Sequence, residues 1–313
     1  TIQCTLGLVC DPVAGLVEVP CVVRNASAAA IAFSSAQMAL AEMSGVIPVD
    51  ECVEAMGEIG QSMENRYKET ALGGLANTPT AQKIAKKVYQ HPVSILSPEF
   101  QKLVARSLAA KEVNSCMGRV VAAPTAGASG IIPGTLYTLQ EIHQLEDQKI
   151  LEGMLVAAGI GLIIEQKASL AGAVGGCQAE TGSAAAMASG AMIHCLGGTI
   201  DQIFNAIAIT IQCTLGLVCD PVAGLVEVPC VVRNASAAAI AYSSAQMALA
   251  EMSGVIPVDE CVEAMGEIGQ SMENRYKETA LGGLATTPTA QKIAKKVLIS
   301  DIDILPEEGS GNS

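Results

Sequence analysis

Residues 1–88 recur almost letter for letter as residues 210–297, at a constant offset of 209, and the two differences are Phe33 against Tyr242 and Asn77 against Thr286. Any fold must therefore seat two copies of one segment around a unique middle, residues 89–209. The copies are too alike for the short, diverged units of an old solenoid. A recent duplication, an engineered tandem and an assembly artefact all leave that signature. Residues 89–297 form one contiguous candidate domain with 1–88 as an extra copy of its carboxy-terminal segment, while 1–209 is a circularly permuted equivalent. The copy left over carries apolar helices without a partner, and these are expected to pack on another protomer, giving a homo-oligomer. Residues 298–313 end in Pro306-Glu307-Glu308-Gly309-Ser310-Gly311-Asn312-Ser313 and read as a flexible tail.

Helices are the expected material. Half of the chain is hydrophobic, aromatics reach only 3% and Trp is absent, so the apolar mass comes from Ala, Gly, Leu, Val, Ile and Met. That mixture suits close-packed helices better than a twisted sheet, and alternating polar and apolar runs are missing, which predicts an all-α fold. A helix is predicted to start at Ser97-Pro98-Glu99, where a capping hydroxyl precedes proline at the first helical position. A second spans about 138–166. Thr199-Ile200-Asp201-Gln202 has the form of a capping box and opens a helix through Ile203, Ile207, Ile209 and Ile211 that leads to Cys219. Pro257 starts another, with Val262, Met265, Ile268 and Met272 as its buried stripe.

Gly153 to Ile164 is apolar for 12 residues, and Ile203 to Cys219 is interrupted by Asn205 and Gln212. Neither reaches the roughly 18 unbroken apolar residues of a spanning helix, so both are read as core, with no membrane partner. A formal charge of −13 argues against a nucleic-acid partner, because phosphate binding needs a basic face and the lysines sit in short scattered groups. The start of the chain lacks the pattern of a signal peptide, which points to the cytoplasm. In that compartment the eleven cysteines are thiols, metal ligands or small core residues.

Four connections rich in Gly and Pro, at 123–134, 171–182, 220–229 and 281–289, are where chemistry is sought. Cys177, Cys219 and Cys230 lie at their edges, Cys219 at the end of a helix. Thiolates in such places can turn toward a cluster while freed backbone N–H groups donate to its sulfides. Their spacings of 42 and 11 match no compact ligand signature, and free cysteine is as readily a core residue. Cys52, Cys116, Cys195 and Cys261 are assigned to the core, and Cys4 and Cys213 lean the same way.

Three long stretches carry a resemblance: Ala122-Ala123-Pro124-Thr125-Ala126-Gly127-Ala128-Ser129-Gly130, Gly176-Cys177-Gln178-Ala179-Glu180-Thr181-Gly182-Ser183-Ala184, and Cys219-Asp220-Pro221-Val222-Ala223-Gly224-Leu225-Val226-Glu227-Val228-Pro229-Cys230. In order and spacing they resemble the α chain of the iron-sulfur L-serine dehydratases, over about 89–297. The resemblance implies a largely helical fold, a 4Fe-4S cluster on Cys177, Cys219 and Cys230, and a lyase that deaminates L-serine to pyruvate and ammonia. It also implies a β chain or β domain as partner. The repeat offers Cys10 and Cys21 as an alternative pair, but Cys177 occurs once, so one complete set forms per chain, and the carboxy-terminal pair keeps the family's linear order.

Three protein thiolates on a cubane leave one iron without a protein ligand, able to act as a Lewis acid on the substrate hydroxyl. Thr125, Gly127, Ser129 and Gly130 are the candidate binders of the amino-acid carboxylate, through backbone N–H groups and hydroxyls; the plain alternative is a tight link between helices. For the base that takes the α-proton, Lys167 and Glu180 are the weak candidates. His194 is read as a core residue, and His91 and His143 as surface groups. Competing readings are a related cluster lyase acting on L-cysteine, a structural zinc site on the same thiolates, and an inactive scaffold chain lacking its β partner.

Overall fold

A computed structural model describes residues 84–115 and 120–302, together with the backbone of a short antiparallel pair, β1 (Cys10–Asp11) and β2 (Gly15–Leu16). The expectations for Cys4, Cys21, Cys52 and Cys116 lie outside the described residues, as does the tail beyond 302; of Cys10 only the backbone is described.

The described residues are otherwise all-α. In chain order the helices are α1 (Ile84–Gln90), α2 (Pro98–Ser115), α3 (Ile131–His143), α4 (Asp147–Lys167), the single turn α5 (Gly172–Gly175), α6 (Ser183–Cys195), α7 (Ile200–Gln212), α8 (Cys230–Leu249), α9 (Val258–Ser271) and α10 (Pro288–Ile302). Local chemistry sets several starts. Ser97 Oγ accepts the Phe100 N–H at 3.3 Å ahead of α2. The Thr199 hydroxyl accepts Gln202 N–H at 3.2 Å while Gln202 Oε1 accepts Thr199 N–H at 2.9 Å, so the predicted capping box is formed.

Helix α6 is the centre. Every residue of it except His194 is buried, as expected of a helix apolar all round, and it packs against α3, α4, α7 and α8. Its small residues let neighbours approach closely: a Cβ on Gly190 would stand 2.4 Å from Ile160 Cδ1 of α4. Helix α4 buries Ile150, Leu151, Gly153, Ala157, Ile160, Gly161 and Ile164. Among the described residues no helix is long and apolar enough to cross a membrane.

Three boundaries differ from expectation. The helix expected over 138–166 is two, α3 and α4, separated where Gln144 takes the left-handed conformation and Gln140 Nε2 donates to Asp147 Oδ1 at 2.7 Å. The helix expected to reach Cys219 ends at Gln212; Thr214 turns its hydroxyl back onto Thr210 O and Ile211 O, and Gly216 has φ +81°. Beyond this turn the backbone is extended, with Cys219 bridged to Lys277. The stretch from 298 continues α10 as far as Ile302.

The two copies of one peptide also lie in different surroundings. Ile84–Val88 belongs to α1, where Ala85 is fully buried and its N–H donates to Glu112 Oε1 at 3.1 Å. A small second core joins Ala85, Leu108, Ala109, Ala110, Val231 and Ala235. The identical Ile293–Val297 lies in α10, which packs against the 222–224 and 283–286 turns.

Candidate active site

Cys177, Cys219 and Cys230 arrive from three directions. Cys177 opens a π-helical turn, Gln178–Gly182, that runs straight into α6. The residue before it must be glycine: Gly176 has φ +74°, and a Cβ there would stand 2.8 Å from Leu217 O. Cys219 is held in its extended stretch by Cys219 N–H to Tyr276 O at 2.8 Å and Glu278 N–H to Cys219 O at 3.0 Å. Cys230 is the first residue of α8. Gln178 binds the first two segments together, donating to Met265 O at 2.9 Å and accepting Gly216 N–H at 2.9 Å, while its own N–H donates to Leu217 O at 3.0 Å.

The thiols are close enough to sense one another's charge. Burial raises all three above the usual thiol range, Cys230 to about 11; Cys219 is raised further by Glu180, Cys177 and Cys230, and Cys230 by Cys177. Cys177 and Cys219 are each 4% exposed, and Cys177 Sγ lies 3.0 Å from Thr181 Oγ1. Sulfurs gathered in so dry a place are poor anions on their own. A bound metal centre removes that penalty by replacing the protons.

Glu180 lies in the same π-turn. Its Oε2 is 3.9 Å from Cys219 Sγ. A Cβ on Gly127 would stand 3.1 Å from its Oε1, and one on Gly172 only 2.7 Å from Oε2, so glycine at both positions makes room for the carboxylate. Burial, then Glu278, push Glu180 up to about 7, against the pull of Thr125, Lys111 and Cys219. Lys167, the other base expected from sequence, is placed elsewhere: it is partly exposed at the end of α4 and pairs with Asp259 at 3.0 Å and Glu263 at 3.2 Å on α9. Its charge docks two helices.

The loop Thr125–Gly130 sits beside Glu180 through Gly127, but fewer of its groups are free than expected. Ser129 Oγ donates to Ala126 O at 2.9 Å, and the N–H groups of Ala128, Ser129 and Gly130 go to Thr125 O, Ala126 O and Asn234 Oδ1. The Thr125 hydroxyl remains, buried beside the Glu180 carboxylate without a hydrogen bond of ordinary geometry.

Sequence reasoning missed three residues. Lys111 of α2 is fully buried and donates to Ala126 O at 3.0 Å and to Asn114 Oδ1; desolvation lowers it to about 8, opposed chiefly by Cys230 and Glu180. Asn234 of α8 donates to Gly127 O at 2.7 Å and to Cys230 O at 2.8 Å, tying the loop to a cysteine. Arg233 pairs with Asp220 Oδ1 at 2.8 Å. A lysine directly after the apolar run Leu108-Ala109-Ala110 was the available signal for Lys111, and adjacency to Cys230 for the other two.

The remaining assignments fall as follows. Cys195 and Cys261 are buried, as expected, while Cys213 is exposed because α7 ends one residue before it. His91 and His143 are on the surface, and His194 is partly exposed, 3.4 Å from Glu152, in place of the expected core position. Among the described residues no three His, Cys, Asp or Glu side chains could grip a single metal ion.

A family model described as serine dehydratase alpha chain matches the chain over residues 1–76 and again over 77–285. The L-serine dehydratase, alpha chain, of Peptoniphilus asaccharolyticus is 48% identical over 217 residues, covering 68% of this chain and 74% of that one. The probable L-serine dehydratase alpha chain of Bacillus subtilis is 46% identical, with 65% and 68% covered, and that of Latilactobacillus sakei 43% identical, with 64% and 96% covered. The chain spans about half the length of relatives named L-serine dehydratase without a chain letter, 47% and 50% in two cases.

Proposed function

Because the chain belongs to the serine dehydratase alpha chain family, we propose that it converts L-serine to pyruvate and ammonia, with a 4Fe-4S cluster held by Cys177, Cys219 and Cys230. What supports this reading is that Cys219 Sγ lies 3.9 Å from the carboxylate of Glu180, that Cys177 opens the same turn as Glu180 and Cys230 starts α8, and that the adjoining loop keeps a buried Thr125 hydroxyl. No other described cysteine joins them: Cys195 donates to Lys149 O, Cys261 to Ile256 O, and Cys213 is exposed. When bound, such a cluster supplies a Lewis-acidic iron free of protein ligands, which favours departure of the substrate hydroxyl.

The protein's own groups do the rest. The Thr125 hydroxyl meets the substrate carboxylate, and Lys111 supplies positive charge beneath the loop. Glu180 takes the α-proton as the C–O bond breaks, which gives aminoacrylate and water. Aminoacrylate tautomerises to the imine, and hydrolysis of the imine consumes one water and yields pyruvate and ammonia. The close approach of Gly127 and Gly172 to the Glu180 carboxylate limits the room for water beside that proton. A β chain or domain completes the enzyme, which works in the cytoplasm.

The test is anaerobic reconstitution with iron and sulfide followed by a pyruvate assay on L-serine and on L-cysteine. Pyruvate from serine well above that from cysteine is expected in the presence of the β partner, and Cys177→Ser should lose both iron and activity. Retention of both by that variant would remove the assignment; preference for cysteine would move the enzyme to desulfidation.

A further inference from the structure

We propose that Arg233 is the positioning residue of the three-cysteine site: one guanidinium, carried on the Cys230 helix, sets the spacing of the Cys219 and Cys230 segments and remains as an N–H donor at the cluster's edge. The inference rests on the three-cysteine reading above.

Arg233 lies three residues after Cys230 in the first turn of α8, and residues so spaced share a helix face. Its Nη1 donates to Val218 O at 2.8 Å, on the residue before Cys219, and pairs with Asp220 Oδ1 at 2.8 Å, on the residue after it. Cys219 is therefore gripped on both sides. Asp220 is 3% exposed and cannot drift, because Oδ2 accepts Leu284 N–H at 2.7 Å. The Cys219 and Cys230 segments thus meet at one side chain.

The residue type matters. A planar fork with five donors can serve a carbonyl and a carboxylate together and still have donors to spare, whereas an ammonium is a point charge without a fixed direction. Groups that hold metal ligands in place typically change metal affinity about 10- to 100-fold when removed. Positive charge and hydrogen bonds at cluster sulfurs also favour the reduced form, so their loss makes the potential more negative.

The experiment uses the full chain reconstituted anaerobically, as wild type, Arg233→Met, Arg233→Lys and the control Arg275→Met, whose exposed side chain pairs with Glu273. Iron and sulfide per chain are followed against rising chelator, and the reduction potential is measured. Arg233→Met is expected to release iron at about 10- to 100-fold lower chelator, with a more negative potential. Arg233→Lys should lie between it and wild type, nearer wild type in potential than in iron retention, and the control should match wild type. Arg233→Met with unchanged retention and potential overturns the inference alone. Wild type that takes up neither iron nor sulfide overturns the three-cysteine reading and the inference with it. Should the methionine variant fail to fold, as judged by circular dichroism, lysine decides: indistinguishability from wild type in both readouts overturns the role of the fork.

Discussion

The hydroxyl of Tyr242 is enclosed without a hydrogen-bond partner, at the position where the other copy of the segment carries Phe33. Its ring packs edge-on against Phe100 with centroids 6.2 Å apart, and burial pushes the phenol up to about 12. The ring is useful there and the oxygen is not. Tyr242→Phe is expected to stabilise the protein by about 1 kcal/mol, since an unmet buried polar group costs about 1–3 kcal/mol, readable as a higher denaturation midpoint at unchanged slope. Glu141 is the opposite case. Burial alone would raise its pKa, but Lys102 and Arg106 hydrogen-bond the carboxylate and hold it below the ordinary value of 4.5. A depressed carboxylate contributes stability above its unfolded pKa and loses it as pH falls through the folded one. The gap between wild type and Glu141→Gln should be full at pH 7 and close below about pH 4; a gap that persists in acid would assign it to packing. At the site, Glu180→Gln should lower kcat about 10²- to 10⁴-fold, the usual contribution of a general base, with iron content unchanged.

Helix crossings were only partly legible in the residues. The caps at Ser97 and Thr199 announced α2 and α7 because their signals are local, a side chain and an N–H three residues apart. The break between α3 and α4 carries no Gly or Pro; it depends on Gln144 adopting a left-handed conformation that Gln seldom favours. The stop at Gln212 was hidden for a related reason. Apolar residues continue to Cys219, and only contacts with Gln178, Tyr276 and Lys277 draw them into extended backbone. Where two helices touch, size is decisive, and Gly134 of α3 shows how tightly. A Cβ there would fall 2.2 Å from Ser107 Oγ and 3.0 Å from the Ser107 backbone nitrogen of α2. A hydroxyl can rotate away, but the backbone cannot. Gly134→Ala should therefore cost about 1–3 kcal/mol by overpacking, outweighing the roughly 1 kcal/mol that alanine gains over glycine in a helix; a variant more stable than wild type would show that α2 and α3 part freely.

At the scale of the whole chain, the question is which copy of the duplicated segment completes the site. Cys177, Cys219 and Cys230 could be put forward from sequence because long motifs surround them, whereas Lys111 and Asn234 could not, since the loop they hold meets them only after α2, α8 and the 123–130 connection have packed. That packing bears on the copies. Arg233, Asn234 and Cys230 all sit in the first turn of α8, and α8 also packs on α2, α6 and α7. The carboxy-terminal copy is thus tied to the unique middle through both the core and the site. The end of the first copy is tied differently, through Ala85 and Glu112 on α2, in a place that Ala294 does not share. The peptides are interchangeable in sequence but not in position. Paired substitutions in the full chain follow directly: Cys219→Ser with Cys230→Ser should abolish iron uptake and pyruvate formation, while Cys10→Ser with Cys21→Ser should leave iron per chain within experimental scatter of wild type. The reverse result would mean that the amino-terminal copy completes the site as a circular permutation. Equal loss, by half, in both variants would mean that the two copies compete for Cys177.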